Sequence, residues 1–170
     1  MSLSEELARW IRTNPPLFVT GYSHRVKGYW PVHQHENLEL VYHPSGQGTT
    51  TVAEGVTVPF APGMVIAYAP WQRHDQKTTH AGVDVCLRFA LVANAPSPLN
   101  GCWTATIPDN RRLAREIVSL GQGRPTLDPL RRVALELRAG AVLLELLVSS
   151  TAMACPAPSG ERHAMAAAEW

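Results

Sequence analysis

The spacing of apolar positions changes twice along the chain. Over residues 2 to 13, Leu3, Leu7, Trp10 and Ile11 recur at helical intervals behind Ser4, a capping residue, and Asn14, Pro15 and Pro16 end the pattern. From Leu17 to about Ala93 the chain reads instead as short apolar runs divided by Gly and Pro: LFVTGY, GYWPV, LELVYH, GTTTVAEG, VTVPF, GMVIAYAP and VDVCLRFAL. Strands of that length at close, regular spacing predict a mainly β domain, a sandwich or small barrel. Residues 94 to 103 read as a Pro/Asn/Gly loop, after which the helical period returns.

Asp109 is placed to cap a helix carrying Leu113, Ile117 and Leu120 that ends at Gly121 and Gly123. Asp128 and Pro129 open a second helix running to about Ser149. Together they predict a helical hairpin. The second helix sets Leu130, Val133, Ala134, Leu137 and Ala141 on one stripe opposite Arg131, Arg132 and Arg138, and between Ala139 and Val148 only Glu145 is charged. A helix apolar nearly all round is covered on more than one side, either by a second copy of the chain or by the first helix and the β domain. Residues 149 to 160, SSTAMACPAPSG, read as a linker, and ERHAMAAAEW begins an Ala-rich helical pattern, so the natural protein is expected to continue past Trp170. The expected organisation is an N-terminal helix and arm over 1–16, a β-barrel over 17–103, the hairpin over 104–150, and a linker with the start of a further unit over 151–170.

A chain of 170 residues can bury a substantial core without disulfides. Its composition, 45% hydrophobic and 17% charged with a net charge of +1, offers no general attraction to nucleic acid or acidic lipid. No run approaches the ~20 apolar residues of a membrane span, and the N-terminus lacks the basic start and apolar core of a signal peptide, so a cytoplasmic protein is expected. Cys86, Cys102 and Cys155 lack thiolate-site spacing and read as reduced, mostly buried thiols.

The candidate chemistry lies in His33, His35, Glu39 and the distant His74. On one strand the first three share a parity and point the same way, away from Gln34, Leu38 and Leu40. Imidazole nitrogens with a carboxylate suit zinc, nickel, iron or manganese; the same set also serves as a polar pocket that binds a molecule's hydroxyls or carboxylate directly. Tyr29, Trp30, Tyr68 and Trp71 flank these residues, offering flat faces for a sugar or aromatic molecule or ordinary barrel packing. Arg88 alternates with Cys86 and Ala90 and is a candidate anion clamp, or points to water. His24, His43, His80 and His163 show no pattern and read as surface or structural, and Arg111, Arg112 and Arg115 read as a solvated face.

Gly28, His33, His35, Glu39 and Gly46 resemble the first motif of the cupin superfamily, with four residues in place of five before His33. Gly55, Pro62, Gly63 and His74 are similar to the second motif, although His74 lies further past Gly63 and Thr78 stands where an Asn is expected. The string APGMVIAYAPWQRH resembles the sensing domains of AraC-type transcription regulators. The resemblance implies a cupin-type (double-stranded β-helix, jelly-roll) barrel that binds a small-molecule effector, a sugar or an aromatic or acidic metabolite, in a pocket including Trp30, Tyr68, Trp71 and Arg88. It implies a hairpin that forms a homodimer, and DNA contact only through helix-turn-helix units beyond this chain. It implies a metal at His33, His35, Glu39 and His74, as in some of these barrels but not all. On this reading the activity is binding and not turnover; the rival is a stand-alone metal-dependent cupin enzyme, a dioxygenase or isomerase.

Overall fold

The computed structural model describes residues 3–52, 55–91, 99–107, 111–123 and 128–151. Helix α1 (Leu3–Thr13) leads into strands β1 (Leu17–Val26), β2 (Tyr29–His33), β3 (Leu38–Val52), β4 (Val56–Phe60), β5 (Met64–Tyr68), β6 (His74–Ala90) and β7 (Cys102–Thr106). Helices α2 (Arg111–Gly121) and α3 (Pro129–Ser149) and the short β8 (Ser150–Thr151) follow. All pairings are antiparallel, in the order β1-β6-β3-β5-β7-β8, with β2 added to β6 and β4 to β3.

Two long strands make the barrel. In β3, Leu38–Tyr42 lie between β5 and the second half of β6, whereas Gly48–Val52 lie between β4 and the first half of β6. Each strand therefore belongs to both layers, and the corner carries register shifts around Ser45 and Gln47. The corner leaves no room for side chains: a Cβ on Gly82 would stand 2.2 Å from the Ser45 carbonyl oxygen, and one on Gly48 2.1 Å from that of Lys77. The Gly-bearing stretches HPSGQG and THAG, expected to separate short runs, are thus bends inside continuous strands of 15 and 17 residues.

Alternation along these strands sorts two cores. Leu38, Leu40, Tyr42, Val65, Ala67, Val85, Leu87 and Phe89 face outward onto the helices, meeting Trp10 of α1, Leu113, Ile117 and Leu120 of α2, and Val142, Leu143 and Leu146 of α3. Val41, Ile66, Tyr68, Cys86 and Cys102 face the barrel interior with Val52, Val58 and Phe60. Each fully buried leucine or phenylalanine contributes about 1.5–3 kcal/mol, so the helices are fastened to the sheet mainly by apolar contact. Since Leu38 and Leu40 turn outward, Glu39 turns inward with the interior set.

Strand β7 was not expected: Cys102 and Trp103 read as the end of a loop and residues from 104 as the start of the hairpin, yet Cys102, Trp103, Thr104 and Ala105 are buried beside β5. In α3 the cap falls as expected, the Arg131 N–H donating to Asp128 Oδ1 at 2.9 Å. Arg138 Nη2 of α3 donates to Glu116 of α2 at 2.7 Å, and Arg112 pairs with Glu145, tying the hairpin. The α3 stripe points the other way from its neighbours: Ala139, Val142, Leu143 and Leu146 are buried, whereas Leu130, Val133, Leu137, Leu144 and Val148 are 45–89% exposed. No helix among the described residues is long and apolar enough to cross a membrane. The caps expected at Ser4 and Asp109, and the linker and Ala-rich segment from residue 152 onward, lie outside the described side chains and residues, as do Cys155 and His163.

Candidate functional site

The four metal-type residues come together, but not along one strand. His33 closes β2, His35 lies in the connection after it, Glu39 is on β3 and His74 opens β6. His33 and His74 are direct cross-strand partners. One ligand atom from each of the four lies within 4.8 Å of the others. The expected common parity is therefore replaced by a meeting of three strands and a connection.

Main-chain carbonyls orient the rings. His33 Nδ1 is 3.0 Å from the Pro31 oxygen, His35 Nδ1 2.9 Å from that of Asn37, and His74 Nδ1 2.9 Å from that of Gln72. A carbonyl only accepts, so each Nδ1 donates to it, which leaves Nε2 as the free ring nitrogen. His35 Nε2 stands 2.8 Å from Glu39 Oε2, and His74 Nε2 3.6 Å from the same oxygen. A ring nitrogen that meets a carboxylate so closely shares either a proton or a metal ion with it. The donor set fits zinc, nickel, iron or manganese, and no cysteine takes part.

The turn that delivers His74 is specialised. The Gln72 N–H closes back on the Ala69 carbonyl at 3.0 Å, with Pro70 and Trp71 between them and Trp71 in the left-handed region at φ 63°. The Trp71 N–H donates to the His35 carbonyl at 2.8 Å, locking this turn to the connection that carries His35. Tyr68 stacks on His74 with centroids 3.8 Å apart.

The other oxygen of Glu39 is held from behind. Tyr22 Oη donates to Oε1 at 3.1 Å, Arg88 Nε donates to it at 2.9 Å, and Arg88 Nη2 donates to Tyr22 Oη at 3.0 Å. Burial works to raise the Glu39 carboxyl, but its bonds with His35 and His74, the charge on His35 and the bond from Arg88 outweigh it and hold the group well below the usual carboxylate range. His33 is pushed down, first by burial, with the adjacent His74 and His35 adding to it against the Pro31 bond. Burial raises the Cys86 thiol well above its ordinary value.

Tyr22, His33, Glu39, His74, Cys86 and Arg88 line a cavity of about 550 Å³, with His35 behind its wall. Of the aromatic and cationic residues singled out in the sequence, Trp30, Tyr68 and Arg88 line it; Tyr29 and Trp71 do not, and stand 59% and 48% exposed. Trp30 and His33 both reach the cavity although they are three apart, because β2 carries a register shift between them. Arg88 points inward but is engaged by Glu39 and Tyr22.

Two histidines without a sequence signal also belong to this interior. His43 and Asp84 are 1% and 0% exposed, with His43 Nδ1 2.7 Å from Asp84 Oδ1, and Gln76 Nε2 donates to Asp84 Oδ2 at 2.7 Å across the bend of β6. His24 stacks on Tyr22 in the cavity wall. The available signal was the alternation in VDVCLRFA, where Asp84 and Arg88 occupy the inward positions of an otherwise apolar strand. His80 remains exposed, near Gln47.

No protein-family model matches the chain, and no curated protein matches its sequence. Solved structures do share its fold. An RmlC-like cupin from Shewanella frigidimarina is 18% identical, with 44% of this chain and 69% of that one covered and a TM-score of 0.37. The DMSP lyase DddQ from Ruegeria pomeroyi is 18% identical over 44% of this chain and 40% of its own, at a TM-score of 0.39. The antiparallel barrel, with β3 and β6 each running through both layers, has the jelly-roll form expected from the sequence. Fatty-acid-bound ToxT from Vibrio cholerae is 10% identical, with 78% of this chain and 55% of that one covered and a TM-score of 0.47. The chain thus spans less than half the length of the lyase and about half that of ToxT. One expectation is corrected here: the sequence reading preferred binding to turnover, with an enzyme as the rival, but the structures this chain is similar to include a lyase as well as ToxT, and the fold does not decide between the two.

Proposed function

We propose that this chain is the effector-binding and dimerisation part of an AraC-like cytoplasmic transcription regulator, with a small molecule bound inside the barrel beside a divalent ion at His33, His35, Glu39 and His74. The observation that carries this reading is the pairing of an interior cavity with an outward apolar stripe on α3. Leu130, Ala134, Leu137, Ala141, Leu144 and Val148 follow alternating steps of four and three, all exposed, the spacing of a helix that pairs with a second helix. A sugar or an aromatic or acidic metabolite suits the cavity, where Tyr68 and Trp30 offer flat faces and Gln76 and Asp84 offer polar edges. The barrel, from β1 through β7, senses, and the hairpin of α2 and α3 joins two copies. DNA is then reached through helix-turn-helix units following the linker.

A metal-dependent cupin enzyme is the second reading, favoured by the placing of His33, Glu39 and His74 in the cavity wall, where a bound molecule meets them. An ion held there supplies Lewis-acid polarisation of an oxygen on that molecule. The genomic reading frame separates the two. Continuation past Trp170 into two helix-turn-helix units is the outcome expected for the regulator; a stop codon directly after Trp170 contradicts it and favours the enzyme.

A further inference from the structure

We propose that Arg88 and Tyr22 are positioning residues for the metal, clamping Oε1 so that Glu39 presents Oε2 alone. The inference rests on the metal reading above and adds to it Tyr22 from β1 and Arg88 from β6. Free carboxylates bind an ion through one oxygen or through both, and which of these occurs sets coordination number and the room left for a bound molecule. Here the choice is made by the protein. Oε1 accepts two donors, from Tyr22 at 3.1 Å and Arg88 Nε at 2.9 Å, while Oε2 faces His35 and His74. The third bond, Arg88 Nη2 to Tyr22 Oη at 3.0 Å, closes the triangle and orients the hydroxyl so that its proton goes to Glu39.

The clamp is anchored on regular structure. Arg88 is the cross-strand partner of Glu39 in β3·β6, and Tyr22 is the partner of Cys86 in β1·β6, so the three side chains rise from adjacent strands of one sheet. The guanidinium also lies over the Tyr22 ring, 5.4 Å from its centroid. Glu39 is 2% exposed, so water gives its oxygens little competition. A lysine at position 88 keeps the positive charge but, as a point donor, cannot hold Oε1 and Tyr22 Oη together. The geometry of the fork is therefore separable from its charge.

The test is titration of the chelator-treated chain with Co²⁺, read by calorimetry and by the visible absorption of the bound ion. Wild type, Arg88→Lys and Tyr22→Phe are compared after each variant is shown by its metal-free melting curve to fold. The expected result for Arg88→Lys is an affinity lower by about 10- to 100-fold, the usual effect of losing a partner behind a ligand, and a weaker visible band as Glu39 adds its second oxygen. Tyr22→Phe shifts both in the same direction by less, and serves alone should Arg88→Lys fail to fold. A variant spectrum superimposable on wild type, with affinity within twofold, overturns the clamp while leaving the metal site standing. Absence of any bound Co²⁺ in wild type overturns the metal reading and the clamp with it.

Discussion

His35 Nε2 lies 2.8 Å from Glu39 Oε2, an imidazole facing a carboxylate with the ring's other nitrogen already given to the Asn37 carbonyl. On the proposed reading that contact is half of a metal site, an imidazole nitrogen and a carboxylate oxygen that would face the same ion. Removing two ligands from different elements is expected to abolish metal binding without unfolding the barrel. In His35→Ala with His74→Ala, bound metal falls to background by elemental analysis. The metal-free protein loses about 1–3 kcal/mol, through the packing lost at Tyr68 and the partners lost by Glu39, and still melts cooperatively. Loss of a cooperative melt would show the cluster to be part of the core instead.

The outward face of α3 is expected to be covered by a second copy. Leu137 is 71% exposed in the single chain and sits mid-stripe. Leu137→Asp places a charge in that seam, and sedimentation should show the mass of a monomer where wild type shows a dimer. Leu144→Asp is expected to act in the same way. An unchanged sedimentation coefficient in both variants rules out this helix as the interface.

Acid should weaken the metal-free fold in two stages. His33 and Glu39 are both depressed in the native state, so on acidification the unfolded chain takes up each proton first. Stability is full above the ordinary histidine value of about 6.5, declines below it as unfolded His33 is protonated, and declines further below about 4.3 through Glu39. Melting curves of chelated protein from pH 7 to pH 3 measure this, and Glu39→Gln is expected to flatten the limb below about pH 4.3. A rise in melting temperature on acidification would contradict the assignment.

The His43–Asp84 pair is expected to be costly to break on one side. Both residues are fully buried, and removing one member of a buried hydrogen-bonded pair costs about 1–3 kcal/mol because the other is left without its partner. Urea unfolding of Asp84→Ala should show a loss of that order, whereas His43→Leu combined with Asp84→Leu should lose less. Equal losses would mean that the interaction itself, and not the stranded partner, carries the energy.

How much of this was legible in the sequence depends on distance along the chain. His33, His35 and Glu39 lie within seven residues, and their spacing alone marked them as candidate ligands that the fold would bring together. The reason given, a shared strand face, was not how the fold achieves it, because the strand breaks between His33 and Leu38. Tyr22, Glu39 and Arg88, like His43 and Asp84, are partners only through sheet register, which a linear pattern does not contain. Gly46, Gly48 and Gly82 were legible as interruptions but not as bends, since the same residues that end strands also let two long strands turn a corner. On α3 the periodicity identified the apolar stripe from Leu130 to Ala141 correctly. Which stripe faces the barrel depended on the better-packing set at Ala139, Val142, Leu143 and Leu146.

The most direct test of the central claim is the metal content of protein purified without chelator, measured per chain by inductively coupled plasma mass spectrometry. About one equivalent of zinc, nickel, iron or manganese is the expected result. Absence of these metals, persisting after each is added back, would contradict the site and leave His33, His35, Glu39 and His74 as polar groups that contact a bound molecule directly.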